Sequence, residues 1–204
     1  MFTRTWSAAE PARPGSRVTV INSTDAELVA ACLAGRREAF DIIVERHRRH
    51  VYQLCYRFVG NHEDASDLAQ DVFIRAYRGL GTFKSQSSLG TWLYRIGVNV
   101  CLNRVSLKAP KPESLDPLLA ASDSRVASQD ESATDAILRD ERAGQVRAAI
   151  ARLPKKQRAT LVLRVYHDLP HEDIAKILGS SVGAVKANFF HALNNLKKLL
   201  RELP

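Results

Sequence analysis

Sulfur is scarce in this chain: 204 residues carry three cysteines and one methionine. Cys32, Cys55 and Cys101 are far apart and odd in number, so they suggest no disulfide framework and fit the reduced, buried thiols of a cytosolic protein. Nothing has the spacing of a zinc site. His47, His50 and Cys55 come nearest, and no further ligand completes the set. Long apolar runs are missing: no stretch reaches the roughly eighteen residues of a membrane span. The opening MFTRTWSAAEPARPGSR lacks the apolar segment of a secretory leader. No glycine loop could cradle a phosphate, and no activated nucleophile is recognisable. These absences lead to the expectation of a cytoplasmic protein without direct membrane insertion, not an enzyme, holding neither metal nor cofactor.

Charge, by contrast, is plentiful, with a net value of +8. Its placement matters more than its size. Residues 1–105 hold 14 basic and 10 acidic side chains, residues 106–136 hold 3 and 6, and residues 137–204 hold 13 and 6. Two basic blocks therefore flank an acidic middle. Basic blocks suit a polyanionic partner such as nucleic acid, although a generic basic surface would give the same count.

The apolar pattern is helical wherever it is regular. Residues 1–21, with Pro11, Pro14 and Gly15, read as a flexible tail. Thr24 stands three positions before Glu27, a capping-box signature. Leu28, Ala31 and Cys32 then share a face, and Gly35 ends the helix. A second helix is predicted from about Glu38 to Phe58, with Phe40, Ile43, Val44, His47, Val51, Leu54, Cys55 and Phe58 inward. Its ERHRRH centre, residues 45–50, is either a nucleic-acid contact or a solvated face. Gly60-Asn61 turns the chain into a central pair of helices. After Ser106 the pattern dissolves around Pro110, Pro112 and Pro117 into an acidic linker. Order returns near Thr134 with a helix closed by Pro154. KKQRATLVLRVYH follows, with Ala159, Leu161, Val162, Leu163, Val165 and Tyr166 as its apolar set.

Residues 171–200 have the punctuation of a helix-turn-helix. Ile174, Ala175 and Leu178 make a short helix, Gly179 breaks it, and Ser180 or Ser181 caps the next. Val182, Val185, Phe189, Leu193, Leu196 and Leu200 form the expected inward stripe of that second helix. Its outward face begins Gly183, Ala184, Lys186, Ala187, Phe190, His191 and Asn194. The small residues would let the backbone approach a groove, and Lys186, His191 and Asn194 could bond to bases or phosphates. A helical hairpin closing a bundle is the plainer alternative.

The central pair, Glu63 to Arg104, carries two kinds of face. On the first helix Ala65, Ala69, Val72, Phe73 and Ala76 share the apolar side, and Asp64, Asp67 and Asp71 fall opposite as an exposed stripe. On the second, Leu89, Leu93, Ile96 and Val100 make the core stripe, with Trp92, Arg95, Asn99 and Asn103 beside it. A large π-face, a cation and two amides are groups that stack on unpaired bases, neutralise phosphate and hydrogen-bond base edges. Ordinary readings remain for both: a solvated acidic face with i,i+4 pairs, and a tryptophan at the core edge.

Three stretches carry a family resemblance: DAELVAACLAGRREAFDIIVERHRRHVYQLCYRFVGNHEDASDLAQDVFIRAY, SSLGTWLYRIGVNVCLNR and LPKKQRATLVLRVYHDLPHEDIAKILGSSVGAVKANFFHAL. With DxxDLxQxxF followed by TWLYRI, the chain closely resembles the extracytoplasmic-function (ECF) sigma factors of bacterial RNA polymerase. The resemblance implies an all-α fold of two small helical domains. A tail (1–21) precedes a region-two domain (22–105), a linker (106–134) and a region-four domain (135–204). It implies docking on the clamp helices of the polymerase's largest subunit through Asp64, Asp67, Leu68, Gln70, Asp71 and Phe73, and a contact with the flap. Minus-ten recognition and melting would fall to Phe83, Lys84, Ser85, Gln86, Ser87, Trp92, Arg95 and Asn99. Minus-thirty-five reading would fall to His171, Gly183, Lys186, Ala187, Asn188, Phe190 and His191. An anti-sigma factor, commonly membrane-bound, is the further partner implied. The chain departs from the family in its KSQSS loop, in Leu89 and Gly90 where an aromatic is frequent, and in the recognition helix. There Asn188 and His191 replace common arginines, and Ala187 a common serine. An autonomous helix-turn-helix regulator is the competing reading. It would need a dimer seam, for which no second apolar stripe is evident. A Mg²⁺-dependent nuclease built on Glu63, Asp64, Asp67 and Asp71 would need ligands from several elements, and no second set is present.

Overall fold

The structure, a computed structural model, describes residues 23–108 and 133–202, and every regular element among them is a helix. In chain order these are α1 (Asp25–Leu33), α2 (Glu38–Val59), α3 (His62–Gly79), a 3-10 turn (Leu80–Thr82), α4 (Leu89–Lys108), α5 (Ala133–Arg152), α6 (Lys155–Val165), α7 (His171–Leu178) and α8 (Val182–Arg201). The all-α expectation holds. The expected tail, residues 1–21, lies outside the described residues, as does most of the expected linker. The linker's two ends are helical, because α4 runs on to Lys108 and α5 begins at Ala133.

The chain divides into two compact units at Glu45 and Arg46. The first contains α1 and the opening turns of α2. Thr24 and Glu27 form the expected reciprocal cap, with Glu27 N–H donating to Thr24 Oγ1 at 3.3 Å and Thr24 N–H to Glu27 Oε2 at 2.7 Å. Those bonds to Thr24 lower the Glu27 pKa. Gly35, at φ +90, takes the left-handed turn that separates α1 from α2. Leu28, Val29, Ala31, Ala39, Phe40 and Ile43 are buried.

The second unit holds the rest. Val51, Leu54, Cys55 and Phe58 of α2, Ala65, Val72 and Ala76 of α3, and Leu89, Leu93, Val98 and Cys101 of α4 are almost fully buried. The three helices converge at Gly97. A Cβ placed there would lie 2.7 Å from Leu54 Cδ2 and 3.7 Å from Val72 Cγ2, so only a hydrogen fits. Further along, Leu161, Val162 and Leu163 of α6, Ile174 and Ile177 of α7, and Val185 and Ala192 of α8 make the apolar centre of the helix-turn-helix half. Asn195 of α8 donates to Gln157 Oε1 of α6 at 2.8 Å and ties those helices at their polar margin.

Two residues expected inward are not. Val165 is 54% exposed, because the buried run of α6 spans only Arg158 to Leu163 and its last turn emerges. Leu193 is 44% exposed: the buried line of α8 runs through Val185 and Ala192, and the helical period sets Leu193 on its flank, beside Phe190.

In an exposed helix Gly→Ala adds up to about 1 kcal/mol of stability. At position 97 the added methyl must displace a packed leucine, so Gly97→Ala should instead destabilise the protein by about 1–3 kcal/mol. Urea denaturation measures the sign, and a gain would show that the helices are not in tight contact there.

Candidate nucleic-acid interface

The first face lies on α3. Asn61 caps it: Asp64 N–H donates to Asn61 Oδ1 at 2.8 Å, and Asn61 Nδ2 donates to Asp64 Oδ2 at 2.7 Å. Arg104 Nη2 of α4 then donates to Asp64 Oδ1 at 2.6 Å. Asp64 is therefore not part of an exposed stripe. It is buried on the flank of α3 next to Leu68, with Oδ2 held by the Asn61 cap and Oδ1 joined to α4 through Arg104. Leu68 and Phe73 are buried as well. Asp67 and Gln70 are exposed, and half-exposed Asp71 pairs with Arg75 at 2.9 Å. Ile74 and Tyr77, 48% and 47% exposed, lie on the same side as Asp67 and Gln70. Sequence reasoning missed them. The available signal was two large apolar residues falling outside the core stripe.

The second face is α4 with its preceding loop. Ser88 opens the helix, accepting from Thr91 N–H at 3.1 Å and bonding to the Thr91 hydroxyl at 2.8 Å. Ahead of it Lys84, Ser85 and Gln86 are exposed and Ser87 is half-buried. Ser85 sits at φ +53, a left-handed conformation uncommon for serine. Phe83 and Trp92 are half-buried and pack together, ring centroids 5.5 Å apart. Trp92 thus belongs to the core edge through one side. Arg95, Asn99 and Asn103 follow as an exposed stripe. Arg95 is already engaged: its Nη2 donates to the Lys176 carbonyl of α7 at 2.6 Å.

The third face is α8. Gly179, at φ +58, ends α7, with its own N–H and that of Ser180 returning to the Ala175 carbonyl. Ser181 caps α8 by accepting from Ala184 N–H at 3.2 Å. Gly183, Ala184, Lys186, Ala187, Phe190, His191 and Asn194 are exposed, and Asn188 is half-buried. Phe190 is 63% exposed, with the His191 ring 5.8 Å away. His171 is half-buried against the edge of Phe189, centroids 5.9 Å apart, so it reaches this face only from its margin.

Between α4 and the end of α6, the Tyr94 hydroxyl and His167 Nδ1 share a hydrogen bond at 3.0 Å. Burial, with His50 and Arg57 nearby, pushes the His167 pKa down to about 4. Its Nε2 is buried without a hydrogen-bond partner. Among the described residues no three His, Cys, Asp or Glu side chains stand together as metal ligands, and no helix is long and apolar enough to cross a membrane.

The sigma-70 region 2 family profile matches residues 43–109, and the sigma-70 region 4 profile matches residues 143–196. The chain is 35% identical to the RNA polymerase sigma-H factor of Pseudomonas aeruginosa over 185 residues, covering 88% of this chain and 95% of that protein. It is 34% identical over 174 residues to the ECF RNA polymerase sigma factor SigW of Bacillus subtilis, covering 83% and 92%. Among solved structures, the chain resembles CnrH in complex with the cytosolic domain of CnrY, with TM-score 0.63, 24% identity and coverage of 87% and 97%. It also resembles the sigma factor RpoE bound to the anti-sigma factor NepR from Bartonella quintana, with TM-score 0.60, 22% identity and coverage of 81% and 98%.

The depressed His167 pKa fixes a direction for pH. The unfolded chain takes up this proton near 6.5 and the folded chain only near 4, so the unfolded state binds more protons between them. His167's contribution to stability should be complete above about pH 6.5 and fall as pH drops toward about 4. Denaturation across that window should show the loss, and His167→Gln should flatten it.

Proposed function

Because the chain belongs to the ECF sigma factors of RNA polymerase, we propose a division of labour among its three faces. Asp67, Gln70 and Asp71, joined by Ile74 and Tyr77, form the surface that docks on the clamp helices of core polymerase. Asp64, Leu68 and Phe73 hold that surface in place from behind. The loop Phe83–Ser87 and the α4 stripe of Trp92, Arg95 and Asn99 meet and open the minus-ten element. The α8 face, led by Lys186, Ala187, Phe190 and His191 with Asn188 and His171 at its edge, reads the minus-thirty-five element. Residues 22–105 act as region two, 135–204 as region four and 106–134 as their connection. No step in this work is catalysis by the chain itself. The protein acts in the cytoplasm and is held inactive by an anti-sigma factor.

The observation that supports this best is the chemistry presented by the exposed sides of α3 and α4. On α3 the exposed side carries carboxylates and two large apolar groups, and on α4 it carries a cation and amides, while the opposite sides of both helices share one core. A partner surface that is basic and partly apolar fits the first, and an opened nucleic-acid strand fits the second.

The decisive assay is run-off transcription on fragmented genomic DNA with matched core polymerase. Discrete new start sites sharing two upstream elements are expected. Absence of starts, with duplex binding by the chain alone, would favour an autonomous regulator. At the docking face, Asp67→Lys should weaken core binding at least about tenfold, the equivalent of 1.4 kcal/mol, without moving the unfolding midpoint. Unchanged core affinity in that folded variant would refute the docking assignment. At the melting face, Trp92→Ala should impair promoter opening more than closed-complex formation, read by permanganate footprinting beside mobility shift.

A further inference from the structure

One basic stretch has no part in the three faces. From Arg46 to Arg57, α2 carries four arginines and two histidines and neither aspartate nor glutamate. Arg46, Arg49, His50, Gln53 and Arg57 are exposed, and their steps of three and four residues set them along one side of the helix. Ile43, Val51, Leu54 and Phe58 take the buried side. A solvated face ordinarily pairs its charges, as Asp71 and Arg75 do on α3. Here Glu45 is the one carboxylate within four helix positions of any of the four arginines. Arg46 and Arg49, three positions apart, repel one another, and an anion lying across them relieves that repulsion.

The place of the stripe in the fold says which anion. A Cβ at Gly90 would lie 3.9 Å from His47 Cε1, and one at Gly97 would lie 2.7 Å from Leu54 Cδ2. The two contacts are seven residues apart on both helices. So α2 and α4 run side by side in the same direction, and residues 46–50 flank the first turn of α4. That turn follows directly on the loop Phe83–Ser87.

We propose that the Arg46–Arg57 stripe of α2 is a phosphate track: it holds the backbone of the opened strand where the strand passes the loop before α4, and it reads no bases. The inference rests on the assignment of that loop and of α4 to the minus-ten element. A guanidinium presents a fork of donors that fits phosphate oxygens, and Gln53 adds an uncharged donor between them. No Phe, Tyr or Trp shares the stripe, so base stacking contributes nothing to it. The track therefore fixes the course of the strand and leaves sequence to α4 and α8.

Fluorescence anisotropy of the full chain, at stepped salt, tests the track with an oligothymidine strand of about twenty nucleotides and with a duplex of equal length. Arg46→Gln combined with Arg49→Gln should weaken strand binding at least about fivefold near 0.1 M salt. It should also flatten the slope of log K against log salt by about 1.4, since each phosphate contact on a single strand accounts for about 0.7. Arg142→Gln combined with Arg201→Gln removes the same charge from exposed positions on α5 and α8, and it should do less on both counts. Arg49→Gln alone should show about half the change in slope, and it carries the test if the double variant loses helix content. A wild type that fails to bind the strand, or an α2 variant no weaker than the α5–α8 control, overturns the track. A loss confined to the duplex overturns its place beside the opened strand. No polymerase or promoter enters these measurements. A chain that holds strands through α2 and directs no transcription sinks the functional reading alone, and the converse sinks the track alone.

Discussion

A single hydrogen atom decides how near α4 can come to α2 and α3. At Gly97 the next atom is the Leu54 methyl, and there is no room for a side chain. This close approach sets the rotation of α4 about its own axis. Leu93, Val98 and Cys101 are turned inward by it, and Arg95, Asn99 and Asn103 are turned out. It also brings the far end of α4 within reach of α3, where Arg104 takes the Asp64 carboxylate. The exposed acids of α3 and the exposed amides of α4 are thus positioned by packing at a point that touches neither.

The carboxylates of the proposed docking face and the cations of the proposed DNA faces sit on different helices. In a chain of net charge +8, the carboxylates Asp67 and Asp71 share one side of α3, whereas Arg95 and Lys186 stand on α4 and α8. A surface meant for a basic protein partner and surfaces meant for DNA must not compete for the same ligand. Separating them on different helices lets both attractions operate without mutual cancellation. Asp64 shows the limit of this logic. Its charge is spent internally, and it contributes order to the acidic surface without contributing potential.

Much of this was legible in the residues, because much of it is local. The Thr24–Glu27 cap, the left-handed turns at Gly35, Gly60 and Gly179, the Ser181 cap and the helix-turn-helix spacing all depend on neighbours within four positions. The faces of α3 and α4 followed from period alone. What escaped was tertiary. No period distinguishes Asp64 from Asp67, because only the reach of Arg104, forty residues away, buries one of them. The need for glycine at position 97 comes from Leu54, more than forty residues away in the chain. Nothing in the local sequence marks Arg158, which is among the most buried charges described. Ile74 and Tyr77 were visible as apolar residues out of register, a pattern with meaning only once the core is known to lie elsewhere.

The cysteines acquire a use from where they sit. Cys55 and Cys101 are fully buried in the α2–α4 core, and the Cys55 hydrogen bond together with burial drives the Cys101 thiol far from its reactive form. Cys32 is only half-buried. An alkylating reagent will therefore find Cys32 first and the other two only when those helices part. The chain carries its own stopwatch: the rate at which its hidden sulfurs are consumed times the breathing of the core, without any label having to be introduced.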